Sequence, residues 1–298
     1  MKHRVLGIAL SALATTAAAQ NVSGQVYASD DSDGFHEALV TVGYRGAQGF
    51  GLKAGTLRYS APVWSESGAL LGATYQQRDA SLQLDASLGV ARLAGRDHAV
   101  GALDVLWPVA RGSSLGLSAE RDIVNSVAGI EEGLTFISVA LVADHAFNDR
   151  FNLGLAAGTA RFSDGNQRPL MRTRWNLELA PSYGFNAYLK TRSYQNSEPN
   201  RPEYFSPERL NEVSAGLSSR FVVAERVVLS AAADAGTQHT ETATQPIWRY
   251  ALGLASLRGA AVQWSIAVEA SNAAGTSQAS ASDAYRYTRV FGQLNVPF

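Results

Sequence analysis

Apolar and polar residues alternate one for one along most of the chain. In VQWSIAVEAS, Val262, Trp264, Ile266, Val268 and Ala270 fall on one side, while Gln263, Ser265, Ala267, Glu269 and Ser271 fall on the other. SLQLDASLGV sets Leu82, Leu84, Ala86, Leu88 and Val90 against Gln83, Asp85, Ser87 and Gly89. NEVSAGLSSRF repeats the code with Val213, Ala215, Leu217 and Phe221 against Glu212, Ser214, Gly216, Ser218 and Arg220. A period of two marks strands whose faces meet different surroundings. Strands are expected near residues 21–29, 36–46, 50–60, 67–78, 80–92, 99–109, 113–124, 134–147, 151–162, 169–181, 184–195, 211–223, 226–239, 246–257, 260–272 and 284–298. That is about 16, or about 14 or 18 if a hairpin is missed or invented, and an even count suits a closed antiparallel barrel.

The links agree with a barrel. RGAQG (45–49), RDA (78–80), RGS (111–113), NDR (148–150), SYG (182–184), AER (224–226) and RGA (258–260) read as tight turns. Between them come links expected to be longer and more polar, including NSVAGIEEG, FSDGNQRP, YQNSEPNRPEYFSPERLNE, QHTETATQP and NAAGTSQASASD. Short turns at one rim and long loops at the other are the asymmetry of outer-membrane barrels, and they would place both termini on the periplasmic side.

In hydrocarbon an unpaired backbone amide costs several kcal/mol, so a sheet there must join its first strand to its last. The closing strand would be YTRVFGQLNVPF. Phe298, Val296, Leu294, Gly292 and Val290 share one face, and Asn295, Gln293, Arg289 and Tyr287 the other. The first set would face lipid, with Phe298 in an aromatic girdle. The fold class expected is therefore all-β, a single transmembrane antiparallel β-barrel.

MKHRVLGIALSALATTAAAQ has basic Lys2, His3 and Arg4, then an apolar stretch, then small Ala17 and Ala19, the layout of a cleavable secretory signal over 1–19. The barrel would occupy 20–298. Beyond the signal no apolar stretch reaches the roughly 18 residues of a helical span. No cysteine occurs, so disulfides, thiolate metal sites, a thiol nucleophile and a lipid-anchor thiol are excluded. With 25 basic and 26 acidic residues the net charge is −1, which argues against a nucleic-acid partner. No linker composition divides the chain.

The polar face carries the candidate chemistry. Arg172, Arg174, Asn176 and Glu178 would point inward from one strand, and Asn186, Tyr188, Lys190, Arg192 and Tyr194 from the next. Two registers are open around Ser182–Tyr183–Gly184, pairing Arg174 with Lys190 or with Arg192. Either opposes like charges, which destabilises a sheet unless a counter-charge is near, from Glu178, Glu212 or a folded-in loop. Arg220 would extend this wall. Asp85, Asp104, Glu120 and Asp122 would line the opposite arc, giving a transverse field that favours dipolar, hydroxyl-rich solutes. In the longest connector, Glu203, Tyr204, Phe205 and Arg209, with Pro207 and Glu208, could fold inward as a constriction, cap the mouth, or pack on the rim.

Enzyme signals are weak. His36, His98, His145 and His239 belong to no nucleophile motif. SDDSDGFHE echoes a calcium loop through Ser29, Asp31, Asp33 and Gly34, but Val40 stands where a bidentate Glu is needed. Neither catalysis nor a metal or cofactor is expected.

RFSDGNQRP and YFSPERLNEVSAGL, in the second half of the chain, resemble segments of the barrel domains of exopolysaccharide export porins, those that secrete poly-N-acetylglucosamine and cellulose. The final Phe298 resembles the C-terminal signature read by the barrel-assembly machinery. The resemblance implies a Gram-negative outer-membrane channel that passes a polysaccharide, surrounded by lipid and lipopolysaccharide. Those exporters carry periplasmic helical repeats ahead of the barrel, and no period of about 34 residues occurs here. A stand-alone conduit, or a barrel working with separate periplasmic partners, is what the resemblance then implies. The alternatives are a general diffusion porin and a non-conducting structural or adhesive barrel with a plugged lumen.

Overall fold

Each alternating segment has two neighbours to pair with, and the ladder of hydrogen bonds runs around until it meets itself. The computed structural model describes residues 20–223, 226–274 and 285–298. The expected signal at 1–19, and parts of the turn near 224–226 and of the loop near 272–283, lie outside the described residues. The strands are β1 (Asn21–Asp31), β2 (His36–Arg45), β3 (Phe50–Ala61), β4 (Trp64–Arg78), β5 (Gln83–Leu93), β6 (Arg96–Ala110), β7 (Ser113–Ile123), β8 (Thr135–Ala146), β9 (Phe151–Phe162), β10 (Gln167–Ala180), β11 (Phe185–Gln195), β12 (Arg209–Val223), β13 (Val227–Thr240), β14 (Thr244–Ser256), β15 (Gln263–Ser271) and β16 (Tyr287–Pro297). They form one closed antiparallel barrel of 16 strands, and a short helix, α1 (Val127–Glu132), lies between β7 and β8.

Closure uses β16 as expected. It pairs with β1 from Asn21↔Pro297 to Asp31↔Tyr287, and the Phe298 amide donates to the Gln20 carbonyl at 2.9 Å. The Phe298 ring lies on the outer surface with its centroid 6.3 Å from that of Tyr44. Gln20 and Phe298 sit at the rim of the short turns, since Asn21 pairs with Arg45 beside the 46–49 turn. The outward face is apolar around the ring, with Val42, Leu52, Leu71, Leu88, Leu141 and Leu252 all exposed.

The loop rim departs from expectation. Three links between strands are long, 124–134, 196–208 and 272–286, the last of them partly outside the described residues. FSDGNQRP and QHTETATQP shrink to links over 163–166 and 241–243, because their polar residues remain in the ladder. His239 pairs with Thr244, and Gln238 with Gln245. Between β5 and β6, the polar residues around 93–98 read as a loop. They form a two-residue turn instead, Ala94 (φ 50) and Gly95 (φ 71), the left-handed pair that matches strand twist.

Two of the long links fold into the barrel. The Ser126 Oγ caps α1 by accepting from the Gly129 amide at 3.0 Å, and Gly133 (φ 73) ends it. Ile130, 1% exposed, then packs among Leu57, Tyr59, Ala91 and Leu93, lumen-facing residues of β3 and β5. In the 196–208 loop, Tyr204 is fully buried and stacks on Phe162 with centroids 4.6 Å apart. Phe205 packs with Tyr194 and Leu210. Ser126 Oγ also donates to the Glu203 carbonyl, so the two loops are tied together across the mouth.

Candidate functional site

Of the two registers open at β10–β11, the structure has Arg174 opposite Lys190 and Arg172 opposite Arg192. The turn at Pro181–Tyr183, closed by Gly184 (φ 51), fixes it. Like charges thus face each other twice in succession. The counter-charges come from the strands beyond. Arg192 forms an ion pair with Glu212, its neighbour on β12. Lys190 Nζ lies 2.7 Å from Asp234, which also accepts the Tyr188 hydroxyl at 2.9 Å.

Asp234 stands on β13, two strands away from Tyr188. Gly216 is between them, paired with both. A Cβ there would come 2.5 Å from Asp234 Cβ and 2.7 Å from Tyr188 Cζ. The missing side chain is what lets phenol and carboxylate meet. The network continues through Arg249, 3.8 Å from Asp234 and 3.5 Å from Glu269. Glu269 in turn holds Arg289 at 2.8 Å and accepts the Tyr287 hydroxyl at 2.9 Å.

Two guanidinium groups stay outside these pairings. Arg174 Nε donates to Asn176 at 2.8 Å and its charge lies 4.4 Å from the Tyr188 ring centroid. Arg172 has its Nε buried with no hydrogen-bond partner. Among the described residues neither reaches a carboxylate. Glu178, a candidate counter-charge, sits toward the short-turn rim and forms no ion pair among the described residues. Arg220 shares the lumen-facing parity but is exposed near that same rim, opposite Ser230 and apart from the network.

The acidic arc is real but buffered. Asp85 and Asp104 face each other across β5–β6. Asp85 pairs with Arg78 at 2.9 Å and with Gln76, while Asp104 accepts from Ser118 at 2.7 Å. Glu120 and Asp122 line a cavity with Lys53. Because carboxylates also punctuate the basic wall, positive and negative groups interleave more than a simple two-sided lumen would have them.

Three adjoining cavities occupy the interior. One of about 320 Å³ near the short-turn rim is lined by Asn21, Arg45, Gln76, Asp85, Asp104 and Asn295. The central one, about 640 Å³, meets Tyr27, Lys53, Tyr59, Glu120, Asp122 and Phe291. These two share Gln25, Thr41, Lys53 and Gln293. A third, about 190 Å³, lies against Arg172, Arg174, Lys190, Arg192, Arg249 and Arg289, and shares Glu269 and Arg289 with the central one.

At the long-loop end Tyr204 and Phe205 are buried as part of the inward fold, and Glu203 is held through its carbonyl. Burial, with donation to Asp164 at 2.9 Å, pushes the Tyr204 hydroxyl well above its ordinary pKa, so it remains a donor. Arg209 does not join them. It is exposed at the start of β12, where its amide donates to Glu241 at 3.3 Å. The residue that fastens this loop, Arg168, was absent from the candidates. Its polar surroundings in NQRP suggest solvent, yet it is 2% exposed. Its guanidinium lies 4.6 Å from the Tyr194 centroid and 4.9 Å from that of Phe162, and donates to Asn196 Oδ1 and the Phe205 carbonyl, both at 2.8 Å.

His145 Nδ1 lies 2.8 Å from Ser113 Oγ, but the adjacent Asp144 turns to the opposite face and lines the lumen cavity. Among the described residues no third group orients that pair as a triad would need.

No protein-family model and no curated protein matches the chain. Solved structures do. A bacterial polysaccharide outer membrane secretin superposes with a TM-score of 0.76 at 14% identity, over 95% of this chain and 99% of that one. The fold is that of an outer-membrane β-barrel. CdiB from Acinetobacter baumannii superposes with a TM-score of 0.51 at 11% identity, over 94% of this chain and 60% of CdiB, so the chain spans less than two thirds of that protein.

Proposed function

We propose that this chain is an outer-membrane channel for a hydroxyl-rich polymer, an extracellular polysaccharide, with its long-loop mouth closed at rest. The observation that carries the reading is the run of adjoining cavities that leads from the polar short-turn rim, through a centre of mixed apolar and charged lining, to a wall of arginine. Sugar hydroxyls suit such a wall because guanidinium groups donate and carboxylates accept. The rings of Tyr27 and Phe291 offer apolar faces to the C–H side of a pyranose. The likeness to a polysaccharide secretin over nearly the whole of both chains supports that cargo. In this reading the short-turn rim is periplasmic, and cargo delivered by periplasmic partners leaves past the loops. Lipid and lipopolysaccharide cover the outer face, and the assembly machinery engages β16 at Phe298. Arg172, Arg174, Lys190 and Arg192 touch the polymer, with the buried Tyr188 beneath Arg174 and Lys190 supporting that wall, while Asp85, Asp104, Glu120 and Asp122 orient it from the other side.

The filled mouth favours a second reading, a barrel that conducts nothing. Planar-bilayer recording separates the two. The wild-type barrel is expected to show small, infrequent conductance steps. Ile130→Asp places an unpaired carboxylate in the apolar seat of α1, a burial that costs several kcal/mol, and should expel the helix and raise open conductance several-fold. If both proteins stay silent at every voltage, the plugged-barrel reading stands and the channel fails.

A further inference from the structure

We infer that the lumen holds a subsite for the carboxylate of an acidic saccharide, seated between Arg172 and Arg174 on the basic wall. This deepens the channel reading, on which it rests for the way the sugar arrives. The wall around the 190 Å³ cavity sets six cations, Arg172, Arg174, Lys190, Arg192, Arg249 and Arg289, against four carboxylates. Three of these, Glu212, Asp234 and Glu269, are engaged by Arg192, Lys190, Arg249 and Arg289. The fourth, Asp144, lies across Gly154 from Arg174 and makes no ion pair with it. Positive charge is thus left over at the two arginines that have no acid.

The space in front of them is built. On β9 the residues opposite Arg172 and Arg174 are Ala156 and Gly154, and both line the cavity. Side chains this small leave the guanidinium groups facing open volume. Arg172 also stands directly opposite Arg192, a like-charged pair whose cost a bound anion would lower. A carboxylate matches the planar fork of a guanidinium and can accept two bonds from it. The cavity opens into the central one through Glu269 and Arg289, so a polymer lying there can turn one acidic sugar residue to the wall. A neutral polymer would leave both charges unanswered.

The test uses the full barrel folded in detergent and titrated calorimetrically with trigalacturonate, with a neutral trisaccharide and with inorganic sulfate. Trigalacturonate should bind at least about tenfold more tightly than the neutral sugar, the gap that one charge-assisted pair supplies. Arg172→Gln combined with Arg174→Gln should erase that preference, so that trigalacturonate binds the variant no more tightly than the neutral sugar does. Arg174→Gln alone, at the less enclosed position, serves if the double variant does not fold, as judged by heat-modifiable gel mobility. Equal binding of the two sugars, or a preference that survives the substitutions, overturns the subsite. Sulfate binding as tightly as trigalacturonate overturns the saccharide assignment and leaves a bare anion site. Bilayer recordings run in parallel keep the two readings apart. Binding without conductance removes the channel and keeps the subsite, and conductance without binding does the reverse.

Discussion

Replacing Arg168 with Ala should unfasten the 196–208 loop and destabilise the barrel by about 3–5 kcal/mol, the loss expected when two buried acceptors lose their donor and three rings lose the cation between them. Arg168 faces Phe162, Tyr194 and Tyr204 at 4.9, 4.6 and 5.8 Å, so three rings share one cation. Its removal orphans the donors' targets, Asn196 Oδ1 and the Phe205 carbonyl, and empties the space between the rings. Three readouts should move together. The denaturation midpoint falls, trypsin begins to cut after Arg209, and single-channel conductance rises as the mouth clears. Arg168→Lys keeps the charge but not the fork, and should fall between the two. A variant that resists trypsin like the wild type and shows unchanged conductance would remove Arg168 from its role.

Asp234→Ala should have an effect of the same size, about 3–5 kcal/mol, for a different reason. One carboxylate serves Lys190, Tyr188 and Arg249, and its loss leaves two cations close together in an enclosed wall. Reversal potentials under a salt gradient should shift toward anions. The double variant Asp234→Ala, Lys190→Met should recover part of the stability, because it withdraws the cation left stranded. Folding midpoints in urea measure the cycle. Additive losses in the double variant would mean that the 2.7 Å contact carries no coupling, and the network would have to be redrawn.

The strands were legible because lipid and lumen impose opposite demands on alternate residues, and parity along each strand follows at once. All the expected strands are found, and Tyr188, Lys190, Arg192 and Tyr194 lie on the face that parity gave them. What parity does not contain is which strand a side chain can reach. Glu269 reads as a polar-face residue and Asp234 was not singled out, and Asp234 meets Tyr188 because two registers align at Gly216. Arg168 was missed for a related reason. Its aromatic neighbours come from β9, β11 and the 196–208 loop, far apart in sequence. Tyr204 and Phe205 take the inward fold, one of the three placements that their sequence left open, whereas Arg209 and Arg220 have the right chemistry at positions too near the rims. Loop lengths were overestimated at 162–169 and 238–246, since polarity there reflects strands that run on beyond the apolar band.

The apolar seat of α1 has a consequence for assembly. Leu57, Tyr59, Ala91 and Leu93 point toward the axis and form an apolar patch on the inner wall. A ring completed with the helix left outside would wet that surface, at about 25 cal/mol for each Å². Zipping the last strand to the first and swallowing the helix are therefore coupled steps, and the finished cylinder is held open by the same segment that stoppers it.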